Sequence, residues 1–363
     1  MESDVCRNVN GMSRNSALAV GVDANYTLAM IERGLSWRDD SGEPVGDLYR
    51  FLAEKGANAA RIRLWVGFEG ASRLLYATTI SKMAAKASMS LHLVLFLSDA
   101  WADLFKQPVP KAWSELNLRE RSKVIRGYTR SVARHFREEG LKVDSYQVGN
   151  EVDYGLCGVF ASNKKRRKNL RWLKERIWRA EAELLTSAVD GVREEDPNAS
   201  VSLQLGKWWD VNLVRAFFEA MQEFGVPFDM LALSFFPSAF GLESNVFHET
   251  LEVLSIFGKP ISIAEYAYPS RQPHGQFWYM KKPVPRYPLT PQGQRDWVRD
   301  FLAYCSKHPR ITGAFYWSPE MYLTRPRAKL VNEPKDMPLS FGWDAMALFN
   351  RKGRAKPALE SLA

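Results

Sequence analysis

Short hydrophobic runs alternate with longer amphipathic stretches along most of the 363-residue chain. The short runs are rich in Val, Ile, Leu and Phe, which is typical of buried strands, whereas the longer stretches repeat apolar residues at helical spacing. The pattern predicts strands at 17–23, 59–65, 91–97, 146–151, 200–206, 229–236, 260–265 and 313–317. It predicts helices at 47–56, 72–87, 118–139, 168–194, 211–224, 246–257 and 292–307.

This alternation indicates the fold class α/β. Eight strands, each followed by a helix, with no second strand-rich module, predict a single (β/α)8 TIM barrel. Such barrels often exceed the usual size of one domain, so the chain length does not require a second one. We expect residues 17–363 to form the catalytic barrel and the polar residues 1–16 to form a flexible N-terminal tail.

Two glutamates stand at the ends of predicted strands, where barrel enzymes carry their active sites. Glu151 ends the fourth strand and Glu265 the seventh. Retaining glycoside hydrolysis needs two carboxyls about 5–5.5 Å apart, one protonated to release the leaving oxygen and one ionised to attack the anomeric carbon. A nearby arginine keeps the attacking carboxylate ionised. Arg63, or Arg61 on the same strand face, has that chemistry, and the Asn150 amide can bind a sugar hydroxyl.

Other polar and aromatic residues also follow the predicted strands. The carboxylates of Asp23, Asp99 and Asp103 are more typical of loop and helix caps than of catalysis. Several tryptophans fit either a sugar platform or core packing, and the sequence leaves both readings open. These are Trp101, Trp113, Trp208 and Trp209.

Positive charge exceeds negative charge by nine, and its densest run is 164–168. This run precedes a predicted helix, whose N-terminal dipole disfavours cations. A solvated surface is one interpretation. The sharper hypothesis is that the run attracts an acidic glycan or another polyanion. No nucleic-acid-binding motif accompanies it, so we expect no nucleic-acid partner.

Cysteine and histidine usage predicts neither a disulfide framework nor a metal site. Cys6, Cys157 and Cys305 are odd in number and widely separated, and the histidines show no metal-ligand spacing. We expect no cofactor and no metal. The N-terminus lacks the apolar core of a signal peptide, and no apolar run is long enough to span a bilayer. We therefore expect a cytoplasmic monomer.

Eight segments, in order, resemble one known family. They are GVDANY, ARIRLW, LSDAWADLFKQPVPKAW, VGNEVDYGL, SFFPS, ISIAEYAYP, GAFYWSPEM and GWDAMALFNRKGRAKPAL. Over residues 19–360 the chain is similar to the arabinogalactan endo-β-1,4-galactanases, glycoside hydrolase family 53, in the clan of retaining barrel glycosidases. The Ser-Asp-x-Trp-Ala-Asp sequence is the most distinctive part of this resemblance.

The resemblance implies roles for the residues at the strand ends. Glu151 is then the general acid/base, Glu265 the nucleophile and Arg63 the positive partner of the nucleophile. Asn150 is expected to bind the 2-hydroxyl of the sugar, and Trp317 to lie under the sugar at the cleaved bond. We also expect substrate contacts from Asp99, Trp101 and Trp208.

The sequence departs from the family at the expected sugar-binding floor. Val94 and Phe96 stand where the family carries an acidic residue and a histidine. Gln204 stands in place of a histidine, and Phe235 and Phe236 stand in place of tyrosines. These changes remove polar groups, so the catalytic machinery is better supported than galactan as the substrate.

The sequence as a whole predicts a retaining glycoside hydrolase that cleaves a β-linked glycan, galactan-like or acidic, through a covalent glycosyl-enzyme. The expected partner is a polysaccharide or oligosaccharide. Transglycosylation by the same residues and a barrel that binds glycan without cutting it remain alternatives, and a polyanion-binding protein rests on charge alone. Segment 271–288 contains no acidic residue, so we do not expect the calcium ion that some family members bind there.

Overall fold

Eight parallel strands close a barrel in the computed structural model, which describes residues 18–239, 244–323 and 342–363. Each strand pairs with its neighbours in sequence, and the last pairs with the first. The predicted (β/α)8 barrel is therefore confirmed. Its strands are β1 (Ala19–Asp23), β2 (Ala59–Leu64), β3 (Ser90–Leu95), β4 (Ser145–Val148), β5 (Val201–Leu205), β6 (Met230–Phe235), β7 (Ile261–Tyr266) and β8 (Ile311–Trp317).

Helices surround the barrel, and those predicted from the sequence are found within a few residues of the expected bounds. The described helices are α1 (Thr27–Glu32), α2 (Leu48–Glu54), α3 (Leu74–Lys86), α4 (Leu118–Glu138), α5 (Leu170–Leu173), α6 (Arg179–Glu195), α7 (Val211–Glu223), α8 (Ser244–Ser255) and α9 (Pro291–Lys307). A π-helical turn, Lys174–Trp178, joins α5 to α6.

The described residues that follow β8 form 3₁₀ turns, Trp343–Ala345 and Pro357–Leu362, and do not include a longer helix. The second turn packs against α9, where it covers the barrel with apolar side chains such as Leu359 and Leu362. The pattern also did not predict two short antiparallel hairpins, at 37–45 and 155–160.

Small residues make room for large side chains inside the lower barrel. The Phe315 ring fills the interior so closely that a Cβ on Gly21 would lie 2.1 Å from it. The same ring meets His92 edge-to-face at a centroid distance of 4.8 Å, and His92 Nδ1 lies 2.6 Å from the Ser145 hydroxyl. Burial lowers the pKa of His92 to about 4. The imidazole is therefore neutral. His92 and Arg61 both line one small cavity inside the barrel, so His92 adds no second positive charge next to Arg61.

Two sequence expectations concern regions outside the barrel. Residues 1–16, predicted as a tail, lie outside the described residues. Within the described residues, none of the helices combines the length and the apolarity that crossing a bilayer requires.

Candidate active site

Glu151 enters the barrel mouth from a turn that follows β4. Gly149 and Glu151 have φ values of 74° and 49°, and this left-handed conformation costs a non-glycine residue on the order of 1–2 kcal/mol. The Glu151 carboxyl is buried, with Oε1 accepting a hydrogen bond from the Ser234 hydroxyl at 2.6 Å. Oε2 accepts from the Leu104 N–H at 3.3 Å. Backbone strain of this kind clusters at functional sites.

A bulge in β7 turns Glu265 toward the same mouth. Ile263 and Glu265 pair with consecutive residues of β6, Leu233 and Ser234, so Ala264 is the extra residue. The pairing of β7 with β8 shifts at the same place. A bulge breaks the strict alternation of side chains between the two faces of a strand. Both Ala264 and Glu265 consequently face the barrel interior.

Arg61 is the positive partner of Glu265. Its Nη1 lies 2.9 Å from Glu265 Oε1 and 2.5 Å from Asp23 Oδ2. Its Nη2 donates to the Asn150 side-chain oxygen at 2.9 Å. One buried guanidinium therefore bridges two carboxylates and positions the amide that precedes Glu151.

Arg63, the expected partner of the nucleophile, lies elsewhere, and that prediction is wrong. Arg63 stands two residues, or about 7 Å, further along β2. Its Nε donates to Ser72 Oγ at 3.1 Å. Its guanidinium lies over the rings of Tyr26 and Trp101, 4.9 and 5.0 Å from their centroids. Arg63 thus contacts the site through the Trp101 ring and not through the Glu265 carboxyl.

Two side chains connect the glutamates across the mouth. Gln204 Nε2 donates to Glu265 Oε1 at 3.3 Å and to Ser234 Oγ at 2.9 Å. Ser234 in turn donates to Glu151. Gln204 and Ser234 therefore join the two carboxyls by a chain of hydrogen bonds. The Gln204 amide N–H can only donate, so Ser234 accepts from it and donates its own proton to Glu151.

The surroundings separate the acidities of the two carboxyls. Burial raises the pKa of Glu151 well above its usual range, and the charges of Glu265 and Asp103 add to this rise. Burial also raises the pKa of Glu265, but the Arg61 guanidinium opposes that rise. Among the described ion pairs, none places a basic side chain on Glu151. The surroundings therefore favour ionisation of Glu265 ahead of Glu151.

A cavity of about 320 Å³ opens above both carboxyls. Its acidic and amide side chains are Asp103, Asn150, Glu151 and Glu265. Its aromatic wall is formed by Trp101, Phe105, Trp208, Trp209, Phe236, Phe277, Tyr279, Trp317 and Trp343. Aromatic surfaces combined with a few convergent polar groups are typical of a ligand cleft. A larger cavity of about 550 Å³ between α8 and α9 contains neither glutamate.

The sequence of the chain matches one family model over nearly its whole length. The family model described as "Glycosyl hydrolase family 53" matches residues 19–362. The chain belongs to glycosyl hydrolase family 53. An arabinogalactan endo-β-1,4-galactanase of Cellvibrio japonicus is 28% identical over 335 residues, which cover 87% of this chain and 84% of that protein. An endo-β-1,4-galactanase of Bacillus subtilis is 25% identical over 391 residues, which cover 98% and 87% respectively.

The fold agrees with a solved family 53 structure. The family 53 catalytic domain of Ignisphaera aggregans matches with a TM-score of 0.80 and 24% identity, covering 99% of this chain and 98% of that one. The resemblance inferred from the sequence motifs is thus confirmed, and the protein is a glycoside hydrolase. Across the described ranges, no group of three or more His, Cys, Asp or Glu side chains is arranged to hold a metal ion.

Three of the expected substrate-binding residues, Trp101, Trp208 and Trp317, belong to the aromatic wall of the cavity above the two carboxyls. Trp317 stands edge-to-face with Trp101 at a centroid distance of 6.1 Å. Trp208 also borders the cavity, but only 1% of it is exposed, and its ring packs edge-to-face on Phe235 and Phe247. The core-packing interpretation of Trp208 is therefore the better one.

The other two expected residues have different surroundings. Asn150 lines the cavity, but its side-chain amide also donates to the Ala102 carbonyl at 3.0 Å. Asp99 is not among the described residues of the cavity wall. Its carboxylate accepts a hydrogen bond from the Lys111 N–H at 2.8 Å. Asp99 therefore caps a loop in the structure, and its role as a substrate contact stays a prediction.

Trp343 and Phe105 are among the aromatic residues of the cavity wall that sequence reasoning missed. Trp343 packs edge-to-face on Trp317 at 4.4 Å and donates its indole N–H to the Trp317 and Ser318 carbonyls. Phe105 lines the cavity with 61% of its surface exposed. Both lie inside segments that resemble family 53, which was the available signal, but neither follows a strand directly.

The departures from the family pattern at β3 form a small apolar cluster. Val94 and Phe96 pack with Trp65, Ala102 and Trp101. The cluster packs against the Trp101 ring. The Trp101 indole N–H donates to the Asp103 carboxylate at 2.9 Å, which also fixes the orientation of the ring. Apolar support has therefore taken the place of polar groups on this part of the floor.

Substitution of Gly206 by alanine is expected to reduce kcat by about 10²-fold without unfolding the protein, since displacing a catalytic group by about 1 Å has that effect. A Cβ at this position would lie 2.6 Å from Glu151 Cδ and 2.8 Å from Oε1, so the carboxyl must move. Steady-state kinetics with thermal melting measures both properties. Gly127→Ala on α4 is the control, because its Cβ would meet nothing within 4 Å. Equal activity of the two variants would contradict the placement of Glu151.

Proposed function

We propose that this family 53 protein is a retaining endo-acting glycosidase that cleaves β-1,4-galactan or a closely related β-glycan. Glu151 serves as general acid/base and Glu265 as nucleophile. The observation that carries the proposal is the asymmetry of the two buried carboxyls. Glu265 is ion-paired to Arg61, whereas Glu151 is buried and hydrogen-bonded to the neutral Ser234 hydroxyl.

In the first step, the Glu265 carboxylate attacks the anomeric carbon as the bond to the leaving oxygen breaks. The leaving oxygen takes the proton of Glu151, whose pKa is raised by burial and by the charge of Glu265, so that the acid form is favoured. Arg61 keeps Glu265 ionised, and the hydrogen bond from Gln204 helps to orient its Oε1. The products of this step are a glycosyl ester on Glu265 and a shortened glycan.

In the second step, Glu151 accepts a proton from water, and the water oxygen attacks the same anomeric carbon. The Glu265 carboxylate is released, and Glu151 is again protonated. Each step inverts the configuration of the carbon, so the β configuration is retained over the cycle. A sugar hydroxyl in place of water gives transglycosylation by the same route.

Support for the substrate comes from the relatives and from the shape of the cavity. The relatives from Cellvibrio japonicus and Bacillus subtilis are named as endo-β-1,4-galactanases. The aromatic wall, with Trp101 and Trp317 beside the glutamates, suits the apolar faces of successive sugar rings. An open cleft of this kind accommodates a glycan chain that extends on both sides of the cleaved bond.

The proposal is tested by the stereochemistry of the first product. Proton NMR during hydrolysis of β-1,4-galactan is expected to detect the β-anomer of the new reducing end before mutarotation produces the α-anomer. An α-anomer as first product would establish inversion and remove the role of Glu265 as nucleophile. Binding of β-glycans without any turnover would favour the barrel that binds glycan without cutting it.

A further inference from the structure

The basic run 164–168 is linked to the candidate acid Glu151 through its member Arg167 and the backbone of Leu104. It is part of the connection from β4 to α5, and it therefore belongs to the face of the barrel that carries the active site. Arg167 is the buried member of the run. Its Nε donates to the Ala161 carbonyl at 2.7 Å and its Nη1 to the Leu104 carbonyl at 3.2 Å. The N–H of that same Leu104 donates to Glu151, so one residue connects the run to the acid.

The inward turn of Arg167 leaves its neighbours in solvent. The Arg167 guanidinium lies over the rings of Tyr154 and Phe160, 4.5 and 4.7 Å from their centroids, and this contact fixes the segment. The four exposed cations are Lys164, Lys165, Arg166 and Lys168. None of these four is ion-paired to a carboxylate of the described residues. Four like charges held together repel one another, which costs free energy unless an anion binds.

Basic residues on the outer helices have a different environment. On α4, Arg126 and Arg130 pair with Glu194 of α6 at 2.5 and 3.2 Å. Arg134 pairs with Glu195 at 2.6 Å. Positive charge on that helical surface is therefore neutralised within the protein, whereas no described ion pair neutralises the four exposed cations of the run.

An exposed aromatic ring follows Leu104, the residue whose carbonyl Arg167 contacts. Phe105 lines the cavity with 61% of its surface exposed, and the exposed Lys106 follows it directly. The segment is held to Glu151 by the Leu104 N–H. Because the acid stands beside the leaving oxygen, this border of the cavity faces the part of the glycan that departs in the first step.

We infer that the leaving-group side of the cleft binds a glycan segment that carries carboxylates, with Phe105 stacking on a sugar ring and the exposed cations of 164–168, together with Lys106, contacting its uronate groups. This inference rests on the proposed function, because it uses Glu151 as the acid to define the two sides. The preferred substrate is then a β-glycan with uronate residues toward its reducing end.

Three oligosaccharides that differ only in one carboxylate test this assignment. The first is neutral β-1,4-galactotetraose, and the other two carry a galacturonate at the reducing end or at the non-reducing end. We expect kcat/KM to be at least about 10-fold higher for the reducing-end uronate than for the neutral compound, which is the low end of electrostatic focusing by a charged cleft. The preference is expected to shrink as NaCl is raised, because exposed charges are screened.

Matched variants connect this preference to the run. Replacing Lys164, Lys165, Arg166 and Lys168 by glutamine is expected to remove most of the preference and its salt dependence. The control replaces an equal number of lysines and arginines on the outer helices by glutamine, at Lys86, Lys123, Arg215 and Lys307. This control is expected to keep the preference. Arg167 is left unchanged in both, so the fold of the segment is preserved.

Each other outcome overturns the inference in a different way. Cleavage of all three compounds with equal kcat/KM would leave the hydrolase intact and remove the anion site. Preference for the non-reducing-end uronate, or loss of preference in a Lys281→Gln/Lys282→Gln variant only, would place the site on the other side of the cleft. An equal affinity of Glu265→Ala protein for an oligonucleotide and for an oligogalacturonate would show a general polyanion surface. No cleavage of any compound, with oligogalacturonate still bound, would reject the proposed hydrolase.

Discussion

Replacing Glu265 by alanine is expected to lower kcat on β-1,4-galactan by more than the 10²–10⁴-fold that is typical of losing a general acid or base. The substitution removes the atom that bonds to the anomeric carbon, and no other described carboxylate is paired to Arg61 except Asp23. Because Asp23 still pairs with the guanidinium, we expect Arg61 to stay in place and the melting temperature to change little. Steady-state rates and thermal melting measure the two effects separately.

Azide makes this test specific for a nucleophile. The space left by the Glu265 carboxyl admits the small anion, which is expected to attack the anomeric carbon of an activated β-glycoside and restore turnover. The product is then an α-glycosyl azide, since only one inversion occurs. Glu249→Ala, at an exposed position on α8, is the control and is expected to behave like the wild type. A Glu265→Ala protein that is still active without azide would refute the assignment.

The strands, and the position of the two glutamates at strand ends, were predictable because both depend on local sequence patterns. A buried strand needs a short apolar run, and a barrel enzyme carries its chemistry where such runs end. The inward direction of Glu265 was not predictable in this way. It depends on the bulge at Ala264, which appears only in the pairing of β7 with both neighbours.

The choice between Arg61 and Arg63 was beyond the sequence for a similar reason. Both point to the same face of β2, and their separation from Glu265 is set by the stagger of strands around the closed barrel. The family resemblance favoured Arg63, whereas the ion pair is made by Arg61. Trp343 was missed because it reaches Trp317 through tertiary packing after a connection whose residues 324–341 lie outside the described residues.

Gln204 shows how a departure from the family pattern can still serve the site. A histidine was expected at this position, and its loss suggested a weakened floor. In the structure its amide oxygen accepts from Arg61 at 3.0 Å, and its amide N–H donates to Glu265 and Ser234. One neutral side chain therefore connects the nucleophile and the acid, and the polar network around the carboxyls is intact although the wall above it is largely aromatic.

Replacing Glu151 by glutamine is expected to have an effect that depends on the leaving group. On a natural glycan, whose leaving oxygen needs a proton, kcat/KM should fall by about 10²–10⁴-fold. On a dinitrophenyl β-glycoside, whose leaving group departs as a stable anion, the loss in the first step should be less than about 10-fold, because little protonation is required. Kinetics on the two substrates side by side measures the difference. Equal losses on both would argue that Glu151 is not the acid.

The pH profile provides an independent test of the same group. Wild-type kcat/KM is expected to decline as pH rises through the pKa of Glu151, because the acid must be protonated, and Glu151→Gln is expected to lack this decline. Ser234→Ala keeps the carboxyl but removes the hydroxyl that donates to Oε1 and lowers its pKa. The decline should therefore move to higher pH in Ser234→Ala. A shift to lower pH, or a decline that persists in Glu151→Gln, would assign the alkaline limb to another group and leave Glu151 without its proposed role.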